Sequence, residues 1–193
     1  MHIRAADRLP DALRLVRQRV YVHRRRPRLD RRRDEKGARL GCSLVEVTGG
    51  EPLAQREALA LITRLCDEEY EVLIETGGYV STKEVDRRAK IILDIKCPGS
   101  GEAERNHWPN LDLLQADRDE VKFVIADRAD WDFALKVIAE HDLERRARAI
   151  LISPAWGQID LAELANWIAG SGMELRMQLQ LHKYIWSPDA RGV

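Results

Sequence analysis

The chain has 193 residues, 45% of them hydrophobic and 33% charged, with no net formal charge at pH 7, enough material for one domain with its own core. No apolar run approaches the roughly 20 residues of a membrane-spanning helix, and the basic first residues lack the apolar block of a secretory signal, so no membrane partner is expected. The three cysteines, Cys42, Cys66 and Cys97, stand far apart; they make neither a zinc site nor a disulfide framework and suggest a reducing, cytoplasmic setting.

The neutral total conceals a division. Residues 1–38 hold twelve Arg and one Lys against five acids, a local balance of +8, so the remainder carries −8. This first piece includes Arg24-Arg25-Arg26 and Arg31-Arg32-Arg33 and has little apolar pattern beyond Leu9 to Val22. From Leu40 onward the texture becomes an alternation of strands and helices. The organisation expected is therefore an Arg-rich, poorly packed segment over 1–39, at best a loose helix over Asp11 to Val22, followed by one folded body over 40–193.

Leu44 to Val47 reads as a short buried strand, and Thr48-Gly49-Gly50-Glu51-Pro52 follows it. Pro52 suits the first position of a helix, and Ala54 to Asp67 places Ala58, Leu61, Ile62 and Leu65 on one face. The two glycines leave bare backbone against which a ligand can lie. With exposed carbonyls and the Glu51 carboxylate, the turn suits a cationic amine; no Lys or Ser/Thr follows as a phosphate loop requires.

Val72 to Glu75 is a second strand, ending in Thr76-Gly77-Gly78. Thr82 to Ala89 is expected as a short helix that Ser81 caps. Ile91 to Ile95 is a buried strand running into Lys96 and the loop Cys97-Pro98-Gly99-Ser100-Gly101, and Asn110 to Ala116 is a short helical turn. Further strands are expected at Glu120 to Ala126, Ala149 to Ile152 and Glu174 to Leu181, with helices at Trp131 to His141 and Leu161 to Ala169. The last strand leads to His182-Lys183-Tyr184-Ile185-Trp186.

Strands alternating with helices imply an α/β fold with a parallel sheet, and such sheets bind ligands at the carboxyl ends of their strands. The polar and glycine-rich stretches Thr48–Pro52, Glu75–Gly78, Asp94–Gly101, Ser153–Gly157 and His182–Trp186 each follow a strand. Plain alternatives exist for single residues. Lys96 also suits a surface lysine at a strand end, His182 a core histidine or a substrate contact, Trp186 packing, and Cys97 an ordinary loop thiol.

Val-Glu-Val-Thr-Gly-Gly-Glu-Pro-Leu (45–53), Ile-Glu-Thr-Gly-Gly (74–78), Asp-Ile-Lys-Cys-Pro-Gly-Ser-Gly-Glu (94–102) and Leu-Gln-Leu-His-Lys-Tyr-Ile-Trp (179–186) together resemble 7-carboxy-7-deazaguanine synthase of the radical SAM superfamily, over residues 40–193. The resemblance implies an incomplete (β/α) barrel, usually homodimeric. The activity implied is the ring contraction of 6-carboxy-5,6,7,8-tetrahydropterin to 7-carboxy-7-deazaguanine with loss of ammonia, a lyase reaction on the path to queuosine. S-adenosyl-L-methionine, a 4Fe-4S cluster, Mg2+ and an electron donor such as flavodoxin are implied with it. By motif, Gly49, Gly50, Glu51, Asp94, Ile95, Lys96, Ser153, Pro154, Ala155 and Trp156 would bind S-adenosylmethionine, and Thr48, Glu75, His182 and the C-terminal Val193 would meet the pterin.

One departure is large. The family's cluster is held by a Cys-x3-Cys-x2-Cys loop after its first strand, followed by a magnesium-binding threonine, and this chain holds no such spacing; no metal ligand is expected in it. The first strand and cluster loop are replaced by the Arg-rich piece. Back-translating that piece with degenerate codons and reading one base further on is informative. Leu9-Pro10, Leu13-Arg14 and Val16-Arg17 each give TNC, which allows cysteine at the missing spacing. The displaced frame permits CTFVRLTGCxMRCVWCDSAYTFTGG, and shifted GC-rich codons read as CGN account for the excess of arginine. Residues 1–39 thus read as a displaced frame of a synthase N-terminus, restored near Leu40. The alternative is a cluster-free S-adenosylmethionine- or pterin-binding protein whose basic arm contacts RNA. That arm lacks the interleaved aromatics that base stacking needs, so nucleic acid is not the expected partner.

Overall fold

A computed structural model of the protein describes residues 43–186 and 188. The Arg-rich segment 1–39, its expected loose helix, Cys42 and Val193 lie outside the described residues. Among the described residues six strands follow one another in chain order, and those within each compact unit pair in parallel. They are β1 (Leu44–Val47), β2 (Glu71–Thr76), β3 (Lys90–Ile95), β4 (Glu120–Ile125), β5 (Ala149–Pro154) and β6 (Leu175–Met177). The helices are α1 (Arg56–Asp67), α2 (Arg128–Glu140), α3 (Leu143–Arg146), α4 (Leu161–Gly170) and α5 (His182–Ile185). The class is α/β with a parallel sheet, as the alternation implies, and it is of the incomplete (β/α) barrel type that the resemblance implies.

The chain divides into two compact units, the first running up to Glu75 and including Glu84–Ala89, the second comprising Thr76–Lys83 and everything from Lys90. In the first, β1 and β2 pair in the register Val45↔Val72 and Val47↔Ile74. Alternation along each strand turns Val45, Val47, Val72 and Ile74 to a buried face, and puts Glu46, Thr48, Leu73 and Glu75 on the other. The apolar stripe Ala58, Leu61, Ile62 and Leu65 of α1 is buried, as its spacing predicts.

In the second unit, β3 to β6 pair as neighbours with Leu93↔Val121, Phe123↔Ile152 and Ile152↔Met177 opposite one another. One face carries Leu93, Ile95, Val121, Phe123, Ile125, Ile150 and Ile152, all buried. The same parity gives the other face Asp94, Lys122 and Ser153. Asp127 accepts the Asp130 N–H (2.9 Å) and caps α2, so the helix starts at Arg128, three residues before the sequence reading. Asp160 does the same for α4 through the Glu163 N–H (2.8 Å).

Three expected elements differ. Thr82–Ala89 forms turns, not a helix. Asn110 Oδ1 takes both the Thr82 N–H (2.9 Å) and its hydroxyl (3.3 Å), and Asp86 Oδ1 takes the Arg88 N–H (2.9 Å). Side chains thus claim the donors that a helix needs. Ser81, the expected cap, accepts only the Lys83 N–H (3.3 Å). The last strand stops at Met177: a tight Leu181 N–H to Leu179 C=O turn (3.0 Å) reverses the chain, and His182–Ile185 is helical. The helical turn after β3 runs over Trp108–Leu113, earlier than expected, as a 3-10 helix.

Candidate functional site

In the first unit the turn after β1 is shaped by two glycines with positive φ, Gly49 at 103° and Gly50 at 59°, a conformation that costs a residue with a Cβ. The turn exposes Gly50 and buries Glu51, which is 4% exposed. The Glu51 carboxylate accepts the Leu53 N–H (3.0 Å) and so closes the following 3-10 turn, with Pro52 at its first position. Because Val47 faces Ile74 in the register, Thr48 falls beside Glu75, and the Thr48 hydroxyl donates to Glu75 Oε2 (3.3 Å). The unit therefore brings Thr48, Gly49, Gly50, Glu51 and Glu75 to the carboxyl ends of two adjacent strands.

In the second unit, Asp94 is the last polar residue of β3 and is 8% exposed. Its Oδ2 pairs with Lys96 Nζ at 2.8 Å, with both side chains largely covered. Its Oδ1 is buried and has no hydrogen-bond partner among the described residues. Unpartnered buried acceptors are rare, because each one carries its desolvation cost uncompensated. The surface-lysine alternative for Lys96 does not hold, since the ammonium is folded back onto this carboxylate. Gly78 (φ 73°) packs against the same strand, and a Cβ there would lie 3.1 Å from the Asp94 carbonyl oxygen.

Ser153 and Pro154 are buried at the end of β5, and the Ser153 hydroxyl donates to the Gln178 carbonyl (2.8 Å), tying the chain after β6 to β5. Ala155 is held by its N–H to the Ile125 carbonyl (2.8 Å). Trp156 is 38% exposed, meets Tyr184 edge-on at 4.9 Å, and has Lys183 Nζ 5.3 Å above its ring. His182 is exposed on α5, which rules out a core histidine, and Trp186 is 48% exposed. Cys97 is 2% exposed, more enclosed than an ordinary loop thiol. Burial first, then the Asp130 and Asp94 carboxylates, push it up to about 12.

Three buried side chains that sequence reasoning passed over hold these loops. Asn106 accepts the Lys96 N–H and donates to the Lys96 carbonyl, both at 2.9 Å. Asp130 accepts the Gly99 N–H (2.7 Å) and the Ala126 N–H (3.0 Å). Asn110 donates to the carbonyls of Gly78 (3.3 Å) and Val80 (2.9 Å). The signal available was the pair of asparagines in Asn-His-Trp-Pro-Asn (106–110), a polar stretch with no pattern of its own.

Curated proteins named 7-carboxy-7-deazaguanine synthase are similar to this chain. The one from Chlorobaculum tepidum is 46% identical over 151 residues, spanning 77% of this chain and 68% of that protein. The one from Koribacter versatilis is 41% identical over 163 residues, spanning 78% and 72%. Among solved structures, Streptococcus suis SuiB bound to S-adenosylmethionine aligns with a TM-score of 0.53 at 13% identity over 73% of this chain, and SuiB alone with 0.52 at 14%. The chain spans only 38% and 40% of those SuiB chains, and at such identity the likeness speaks to the fold alone. No family model matches the chain.

Proposed function

The chain belongs to the 7-carboxy-7-deazaguanine synthase family, and from that premise we propose that residues 40–193 are the S-adenosylmethionine- and pterin-holding part of such a synthase. The reaction is the ring contraction of 6-carboxy-5,6,7,8-tetrahydropterin to 7-carboxy-7-deazaguanine with release of ammonia. The observation that carries the reading is the Asp94–Lys96 pair. A carboxylate on a side chain only 12% exposed, with one oxygen bound to an ammonium and the other without a partner among the described residues, suits a ligand that brings its own hydroxyl or ammonium donor.

S-adenosylmethionine fits the residues present. Taken unit by unit, the bare turn Gly49-Gly50-Glu51 of the first suits a methionyl ammonium, and Asp94, Ile95 and Lys96, with Ser153–Trp156, of the second suit the molecule's other polar groups. Thr48 and Glu75 in the first unit, and His182 in the second, are the described residues proposed to meet the pterin. In the Thr48–Glu75 hydrogen bond the hydroxyl is the donor, so the Glu75 carboxylate orients Thr48 with its lone pairs free to accept from a ring N–H.

The 4Fe-4S cluster does not fit. Three thiolates are needed, and the sequence has three cysteines in all. Cys66 is buried in α1 of the first unit, Cys97 belongs to the second with its thiol held protonated, and Cys42 lies outside the described residues. Among the described residues no group of three or more His, Cys, Asp or Glu could hold a metal ion. On this reading the chain keeps the ligand-holding loops and lacks the cysteine spacing that the radical reaction needs. The gene encodes the synthase with residues 1–39 in a displaced frame; the homodimer, the flavodoxin-type donor and the cytoplasmic setting belong to the restored enzyme.

Calorimetric titration of the full chain with S-adenosylmethionine and with 6-carboxypterin tests the reading. Both bind, and Asp94→Asn and Lys96→Met each weaken S-adenosylmethionine about tenfold, as expected when a charge-assisted contact is lost. A wild-type chain that binds neither molecule overturns it.

A further inference from the structure

The geometry points to Asn106 as the residue that positions the Asp94–Lys96 pair for S-adenosylmethionine; this rests on the reading above. β3 ends at Ile95, so the Lys96 peptide has left the strand. Asn106 takes up both of its hydrogen-bonding groups, accepting from the N–H and donating to the carbonyl, each at 2.9 Å. A side-chain amide can do this because it carries one acceptor and two donors in a plane, the same complement that a neighbouring backbone would offer. Asn106 is 8% exposed, so little water competes for these bonds.

The consequence is directional. Fixing both the N–H and the carbonyl of Lys96 fixes the peptides on either side of its Cα, and with them the direction in which its side chain leaves; that side chain reaches Asp94 Oδ2 at 2.8 Å. Three residues on, Asp130 holds the Gly99 N–H at 2.7 Å. The stretch between Ile95 and Gly99 is thus gripped at two points by buried side chains, neither of which is among the residues expected to touch the ligand. Asn106 acts through Lys96: it is a positioning residue, and it keeps the ammonium on one carboxylate oxygen while the other, buried oxygen is left without a partner among the described residues.

β3 supplies its own control. At its opposite end Asp119, fully buried, accepts the Ile91 N–H (2.9 Å) and, from the loop that leads into β4, the Gln115 N–H (2.8 Å). Asp119 and Asn106 are the same kind of buried backbone latch on one strand, one at the amino end and one at the carboxyl end. Loss of either destabilises the fold; only loss of Asn106 is expected to move the ligand pair.

The test compares S-adenosylmethionine affinity, by calorimetry on the full-length chain, in wild type, Asn106→Ala, Asn106→Asp and Asp119→Asn, with melting temperatures recorded for all four. Asn106→Ala weakens binding about tenfold, whereas Asp119→Asn lowers the melting temperature and leaves affinity unchanged. Asn106→Asp sets a carboxylate oxygen against the Lys96 carbonyl at neutral pH and binds weakly. Protonation restores a donor at that oxygen, so its affinity relative to wild type recovers as pH falls, and that of Asn106→Ala does not. Equal affinities in the Asn106 and Asp119 variants, or no recovery in Asn106→Asp, overturn the inference while leaving the binding site standing. A wild-type chain that does not bind S-adenosylmethionine overturns the site and the inference together.

Discussion

Gly99 lies so close to Asp130 that a Cβ on the glycine would fall 2.6 Å from Oδ2 and 3.0 Å from Oδ1. Asp130 cannot step aside, because its two oxygens already hold the N–H groups of Gly99 and Ala126 and the residue is 1% exposed. Gly99→Ala therefore forces the loop off the helix, at a cost of about 1–3 kcal/mol. Urea denaturation of the full chain reads this as a lower midpoint with an unchanged slope; a midpoint equal to wild type would show that the contact gives way freely.

The Cys97 thiol is pushed up to about 12 by burial and by the two carboxylates near it. Its folded value lies above the ordinary 9.0. The stability linked to it is complete below pH 9 and is lost as pH rises from 9 toward 12. In native protein at pH 9, iodoacetamide should leave Cys97 unmodified and should alkylate it readily after unfolding, as peptide mass mapping would show. Native alkylation at the unfolded rate would contradict the enclosure.

Asp86 shows the opposite sign. The Arg88 side chain, its backbone N–H and its charge hold the Asp86 carboxyl down to about 2, while Arg88 is itself raised by Asp86 and Asp67. The stabilisation is present above the ordinary value of 3.8 and is lost as pH falls from there toward 2. Asp86→Asn should be less stable than wild type at neutral pH, and the gap should close below pH 3.8; a gap constant with pH would assign the loss to packing.

The chain as written should show no 4Fe-4S absorption after anaerobic reconstitution with iron and sulfide, since its three cysteines lack the spacing and two of them are buried in separate units. Iron bound at four per chain with cluster absorption would defeat that conclusion.

Much of the fold could be read from one-dimensional pattern. Val45, Val47, Val72, Ile74, Leu93, Val121, Phe123 and Ile152 are β-branched or large apolar residues at alternate positions, and all are buried where that pattern puts them. The helix faces of α1 and the loops after each strand follow for the same reason. What escaped was decided by distant polar partners. Thr82 looked helical until Asn110, 28 residues on, took its N–H. Gln178 to Leu181 looked like strand until the turn at Leu179–Leu181 reversed it. Asn106 and Asp130 have no periodicity to betray them, since their role is to bind backbone 10 and 31 residues away.

The third bases of three codons test the central claim most directly. If residues 1–39 are a displaced synthase frame, then in the genomic DNA the codons for Leu9, Leu13 and Val16 all end in G, so that the shifted triplets read TGC, and the shifted frame stays open to near Leu40. A different base at any of the three, or a stop in the shifted frame, would contradict the account and leave the Arg-rich segment as a genuine part of a cluster-free protein.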